Sequence, residues 1–208
     1  MPEFNSLVSF AIASVALLII PGPAVLYVIN RSVADGRPIG LAAVVGIELG
    51  TFMHVLAATI GLSAVLATSQ GAFNVVKYLG ASYLVFVGLR TLARRPSEFS
   101  SSENQMTKTQ AFRQGFVINT LNPKVALFFL SFLPQFIVVD GSSNALQSLI
   151  LGSIFVSLGF ITDGFYALTA SSLRETLING KTLPFVQRYV AGVVFVLLGV
   201  VAASAKIS

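Results

Sequence analysis

The sequence predicts an all-α integral membrane protein: six transmembrane helices forming two inverted three-helix repeats, with the first and fourth helices broken. Three observations predict it. With 55% hydrophobic and only 10% charged residues, the 208-residue chain has no polar shell for a soluble domain. Its apolar runs are too long for strands and lack the alternation of a barrel. Finally, Pro21-Gly22-Pro23 and Asn122-Pro123-Lys124 interrupt long apolar segments almost one half-chain apart. Proline removes a helix hydrogen bond, and in lipid such a break survives only where it lines a cavity or is buried in protein. Matching discontinuities in two halves point to a binding site near the bilayer midplane; the plainer alternative is a pair of kinks that help helices pack.

Hydropathy places the first span at Leu7 to Asn30 and includes the first break in it. The chain ahead of it holds Glu3 and no basic residue, so this run reads as a retained span and not a signal peptide. The second span, Ile39 to Thr68, carries Glu48 and His54; the third is Phe73 to Leu92. A polar, Ser-rich stretch, Ala93 to Gln110, holds Arg94, Arg95, Glu98, Glu103 and Lys108 and reads as a flexible linker. The single membrane domain thus divides into a first repeat, 1–92, a cytoplasmic linker, 93–110, and a second repeat, 111–208. In the second repeat the spans are Phe112 to Val139 with the second break, Leu146 to Ser172 with Asp163, and Phe185 to Ser204. Each is long enough to cross ~30 Å of hydrocarbon.

Basic residues set the orientation, because cytoplasmic loops are enriched in Lys and Arg. Arg31 and Arg37 flank the first connection, Arg90, Arg94, Arg95, Lys108 and Arg113 the third, and Arg174, Lys181 and Arg188 the fifth. These connections are expected in the cytoplasm and both termini outside. The net charge of +5 follows from that distribution and calls for no nucleic-acid partner. Three spans per half is an odd number, so the second half must enter the membrane upside down. A weak internal match supports the repeat: Lys77-Tyr78-Leu79 with Gly88 corresponds to Arg188-Tyr189-Val190 with Gly199.

At ~1.5 Å per helical residue, the midplane lies roughly ten residues from a loop arginine. Pro21 from Arg31, Glu48 from Arg37, Pro123 and Lys124 from Arg113, and Asp163 from Arg174 all stand at about that distance, so four spans bring polar or broken positions to one level. An ionisable group there costs ~2.5–3.5 kcal/mol or more, faces the bundle interior and marks a transport path. Glu48, Lys124 and Asp163 sum to one negative charge, which a proton or a cationic ligand would balance. The alternative is an internal ion pair that only locks helices together.

His54 lies farther out on the second span, either relaying protons or packed as a neutral ring bonded to a backbone or hydroxyl group. Gly46 and Gly50 bracket Glu48 in a Gly-x-x-x-Gly pair that permits close helix approach; packing within the monomer is preferred to a homo-oligomer seam. With no cysteine, one histidine and no acid cluster on a loop, the sequence offers no catalytic residue, no metal site and no cofactor site, and the protein is expected not to be an enzyme.

Helices starting at the two breaks would present free N–H groups and partial positive charge to an anionic group of a substrate, with Lys124 reinforcing the anion site. Asp163, or Glu48, would take the ammonium or the coupling proton, and Asn122 offers an amide.

The broken first span, Gly46-x-x-x-Gly50, Lys77-Tyr78-Leu79-Gly80-Ala81-Ser82-Tyr83-Leu84 with Gly88, and Phe116 to Gln135 with Asn122-Pro123-Lys124 and Pro134-Gln135-Phe136 together resemble the LysE/RhtB family of amino-acid exporters. Asp163 also falls where that family tends to carry an acidic residue in the fifth span. The resemblance covers nearly the whole chain. It implies export of amino acids or close derivatives across the bacterial inner membrane, driven by protons. Mostly apolar pocket walls favour neutral substrates. The alternatives are a non-transporting membrane subunit and a channel, although no ring of like charges or carbonyl filter is visible.

Overall fold

A computed structural model describes residues 4–68, with side chains to Gly61, then 106–138 and 143–172, together with scattered helical positions between Val75 and Ala93 and between Val193 and Val200. Every regular element among the described residues is helical. They are α1 (Phe4–Ile19), α2 (Pro23–Asp35), α3 (Arg37–Thr68), α4 (Lys108–Thr120), α5 (Pro123–Ser131), a 3-10 turn at Leu133–Phe136, and α6 (Asn144–Ser172).

Two of these helices are long and apolar enough to cross a membrane alone: α3 over Arg37–Gly61 and α6 over Asn144–Ser172. The other two described spans are bent pairs, α1 with α2 at 54° and α4 with Pro123–Phe136 at 45°. Counting each bent pair as one span, the described segments correspond to the first, second, fourth and fifth expected spans. The third and sixth lie outside the described segments except for isolated helical positions, as do the paired motifs at Lys77 and Arg188.

Local chemistry explains the boundaries. Pro23 and Pro123 each open a helix, where a missing N–H is harmless and a fixed φ is useful. They are therefore starters of new helices and not kinks inside old ones. α4 begins at Lys108, inside the stretch expected as linker, because Thr107 and Gln110 form a reciprocal capping box that satisfies its first turn.

The burial pattern is that of a lipid-solvated bundle. Leu41, Val45, Leu49 and Phe52 recur at helical spacing on the exposed face of α3, while Glu48, Lys124 and Asp163 are buried at 1%, 8% and 2% exposure. α3 sits centrally, packed on α2, α4 and α6. Its approach to α4 brings backbone against backbone: a methyl on Gly50 would lie 2.9 Å from Phe116 O, and one on Gly46 would strike Phe112 O. The Gly-x-x-x-Gly pair is thus spent inside the monomer.

The core has two parts. Phe10, Phe128, Phe129, Phe132 and Phe155 form an aromatic cluster built from α1, α5 and α6, with centroids 5.0–5.9 Å apart in the contacts among them. Ala24, Ala43, Ala111 and Ala167, with Val28, Val44 and Ile47, form a tighter cluster among α2, α3, α4 and α6. Both helix breaks lie where the two clusters meet.

Candidate functional site

At that junction is a small cavity of about 20 Å3. Its polar lining is Glu48 and Thr51 from α3, Asn119 from α4, Asn122 and Lys124 at the start of α5, and Asp163 from α6. Its apolar lining includes Leu17, Leu18, Ile47, Val125 and Phe155. Gly22, at the first break, completes the wall beside Lys124; a methyl there would lie 3.3 Å from Lys124 Cδ. This volume admits about one water molecule, far below the ~300 Å3 or more of a small-molecule pocket, so the space between these side chains is occluded to a substrate.

Of the residues expected at the site, Gly22, Glu48, Asn122, Lys124 and Asp163 converge on this cavity. The three prolines do not line it; Pro21 is buried behind it, whereas Pro23 and Pro123 are exposed and act by fixing where α2 and α5 begin. His54 lies outward of Glu48 on α3, with Nε2 2.8 Å from Asn119 O, the packed arrangement with a backbone partner.

A hydrogen-bonded framework ties the lining together. Asn119 donates from Nδ2 to Ile47 O at 2.8 Å and to Thr51 Oγ1 at 2.7 Å, while its Oδ1 accepts from Asn122 Nδ2 at 3.0 Å. Asn122 Oδ1 in turn accepts from the Lys124 N–H at 3.1 Å, capping α5. Both ends of the Asn122 amide are therefore engaged, so it shapes the wall. Lys124 Nζ crosses to the first break and donates to Ile20 O at 2.8 Å. Next to it, Tyr166 Oη donates to Ile19 O at 2.7 Å. The carbonyls stranded at the end of α1 are thus satisfied by α5 and α6.

The two carboxylates stand differently. Glu48 Oε2 and Asp163 Oδ1 have no hydrogen-bond partner among the described residues, although both are buried. Unpaired buried acceptors are rare because each forfeits its hydration, and here both line one cavity. Sequence reasoning missed Asn119, Thr51 and Tyr166. The spacing of Asn119 three residues before Asn122 was the available signal, since i,i+3 positions share a helix face.

At the expected cytoplasmic end, Arg31 is buried and not in a loop. It pairs with Asp35 at 2.9 Å, and Asp35 also accepts from the Met106 N–H at 3.2 Å. Arg37 donates to Ser171 and Ser172, joining the start of α3 to the end of α6.

A helical membrane bundle with two broken spans, and charged groups gathered in an occluded centre, defines the class as a polytopic protein built around a buried polar site. The chain belongs to the LysE type translocator family, whose pattern matches residues 15–206. It is 28% identical over 207 residues to the uncharacterized membrane protein YrhP of Bacillus subtilis (strain 168), covering 94% of this chain and 97% of that one. It is also 27% identical over 193 residues to the leucine efflux proteins of Salmonella typhimurium (strain LT2) and Salmonella typhi, covering 90% of each chain. No solved structure matches it significantly.

Proposed function

We propose that this translocator exports neutral amino acids or close derivatives from the cytoplasm by proton antiport. The observation that carries the reading is the convergence of Glu48, Lys124 and Asp163 on one occluded cavity between two helix breaks. An α-amino acid presents an ammonium and a carboxylate a few ångströms apart, and this wall offers both acids and a cation. The substrate carboxylate would take Lys124 and the positive end of α5, which begins at Pro123. The ammonium would meet the unpartnered carboxylate oxygens. Leu17, Leu18, Val125 and Phe155 would surround an uncharged side chain. The efflux of leucine named for the Salmonella relatives supports that substrate class.

In this reading the bundle works in the bacterial inner membrane with six spans, two inverted halves joined by a cytoplasmic linker, and both termini outside. Alternating access comes from one half rocking against the other, opening the cavity to each side in turn. A proton from outside replaces the departing ammonium, so the empty carrier returns without an uncompensated buried charge.

Purified protein in proteoliposomes preloaded with labelled leucine, alanine, threonine and lysine tests this. Saturable release of the neutral amino acids, stimulated by an inward proton gradient, is expected. Release of lysine alone, or gradient-independent and non-saturable release, would overturn the neutral-antiport reading. Asp163→Asn should abolish gradient-driven release while leaving the protein inserted; release equal to the wild type would remove Asp163 from the mechanism.

A further inference from the structure

Resting on the exporter reading above, we propose that the two buried carboxylates have separate duties. Asp163 receives the substrate ammonium beside Lys124, Glu48 carries the coupling proton, and Gly159 is the positioning residue that keeps the Glu48 carboxylate in its station.

The geometry begins with α6. Gly159 and Asp163 are four residues apart, so they share a face with about one helical turn, ~6 Å, between them. The Glu48 carboxylate from α3 lies directly against the bare backbone of Gly159. A methyl built there would be 2.5 Å from Oε1, 2.6 Å from Oε2 and 2.7 Å from Cδ. Those separations are far inside van der Waals contact, so any side chain at 159 must displace the carboxylate. Because α6 runs inward from its expected outer end at Asn144, Gly159 sets Glu48 one turn nearer the outside than Asp163. A proton arriving from outside meets Glu48 first.

Charge separates the two groups as well. Among the described residues, the titratable groups lining the cavity are Glu48, Asp163 from α6 and Lys124 from α5; α1, α2 and α4 contribute none. With one cation and two acids lining it, one carboxylate is left in excess, and the station against Gly159 assigns that excess to Glu48.

A proton bound to one Glu48 oxygen makes the empty cavity neutral. Its release to the cytoplasm breaks only that O–H bond and restores the anion. A zwitterionic substrate then adds no net charge, and the leftover negative charge faces the positive ends of α2 and α5, roughly half a unit each. The proton-loaded and substrate-loaded states thus differ by one unit, the charge of the coupling proton, and in the substrate-loaded state the helix ends face the Glu48 anion.

The test compares two measurements on the same proteoliposomes: net release of labelled leucine driven by an inward proton gradient, and leucine–leucine exchange with no gradient. Exchange needs the substrate station alone. Glu48→Gln is expected to lower gradient-driven release about tenfold more than exchange, and Asp163→Asn to lower both together. Gly159→Ala, which keeps the carboxylate but moves it, should shift the same ratio in the same direction. Glu48→Asp in the Gly159→Ala background, shorter by one methylene, should recover part of it.

Equal loss of release and exchange in Glu48→Gln, in protein that unfolds at the wild-type temperature, would merge the two carboxylates into one site and overturn the proposal. Full gradient stimulation in Gly159→Ala would overturn the positioning role. If Glu48→Gln fails to insert, Gly159→Ala carries the same ratio test. Wild-type vesicles that neither release nor exchange leucine would overturn the leucine-export reading on which the division of duties rests.

Discussion

The two helix breaks look alike in sequence and are held in opposite ways. At the second, most bonds at the break join near neighbours, with Asn119 also tied to α3. Leu121 N–H donates to Val117 O, Asn122 N–H to Asn119 O, and the Asn122 side chain both caps α5 and bonds Asn119. At the first, Gly22 caps α2 without a side-chain bond, and the carbonyls of Ile19 and Ile20 rely on Tyr166 and Lys124, 147 and 104 positions away. The second break thus has a clasp of its own besides the tie from Asn119 to α3, whereas the carbonyls of the first depend on α5 and α6. The contrast predicts a hinge at Pro21-Gly22-Pro23, with the second break as the stiffer arm that carries Lys124 to it.

Replacing Lys124 breaks this asymmetry most severely. Lys124→Met keeps most of the side-chain length but strips Ile20 O of its donor and removes the cation that balances Asp163. Loss of a hydrogen bond made by a charged group costs about 1.5–3 kcal/mol. The expected outcome is that loss in unfolding free energy, measured in detergent, with loss of leucine export. A change below about 1 kcal/mol would mean that water serves the first break as well as Lys124 does, and the comparison would collapse.

At the second break the expected effect is smaller and local. Asn122→Ala removes the cap on the Lys124 N–H and the bond to Asn119, costing about 1–2 kcal/mol. Amide exchange should accelerate around 119–126 and stay unchanged around 17–26. Acceleration at both would show that the breaks share their support, contrary to the division drawn here.

The contrast between the breaks also marks what the sequence could reveal. Charges at equal distances from loop arginines placed Glu48, Lys124 and Asp163 at one depth, and they do line one cavity. That inference works because a buried charge in lipid is expensive enough to be rare, so each one is informative. Gly46 and Gly50 were legible for the related reason that only glycine permits backbone contact. The notch at Gly159 was not legible, because sequence does not tell whether a glycine receives a helix or a carboxylate. The partners of the first break were invisible too. Ile19 O and Ile20 O are main-chain atoms, identical at every residue, and their selection by Tyr166 and Lys124 depends on a tertiary arrangement that spacing does not encode. Arg31 misled: counted as a loop marker, it is buried against Asp35, an i,i+4 pairing that shields the charge within α2.

Tyr166→Phe is the mildest change and the sharpest probe of the hinge. It deletes one hydroxyl donor to Ile19 O and keeps the ring, which packs against the buried Val25–Ile29–Val33–Ala170 cluster. A single hydrogen bond contributes about 0.5–1.5 kcal/mol net, so global stability should fall by about that amount. Its distribution decides the matter. If α1 and α2 hinge about Ile20, losing one of the two ties to the end of α1 favours opening, and amide exchange around 17–26 should quicken about two- to tenfold with 117–126 unmoved. Transport should change in rate with little change in the proton gradient needed to drive it, since both carboxylates are retained. Equal acceleration at the second break would make the cavity a single cooperative unit, and the rigid arm would have to be abandoned as the partner of the hinge.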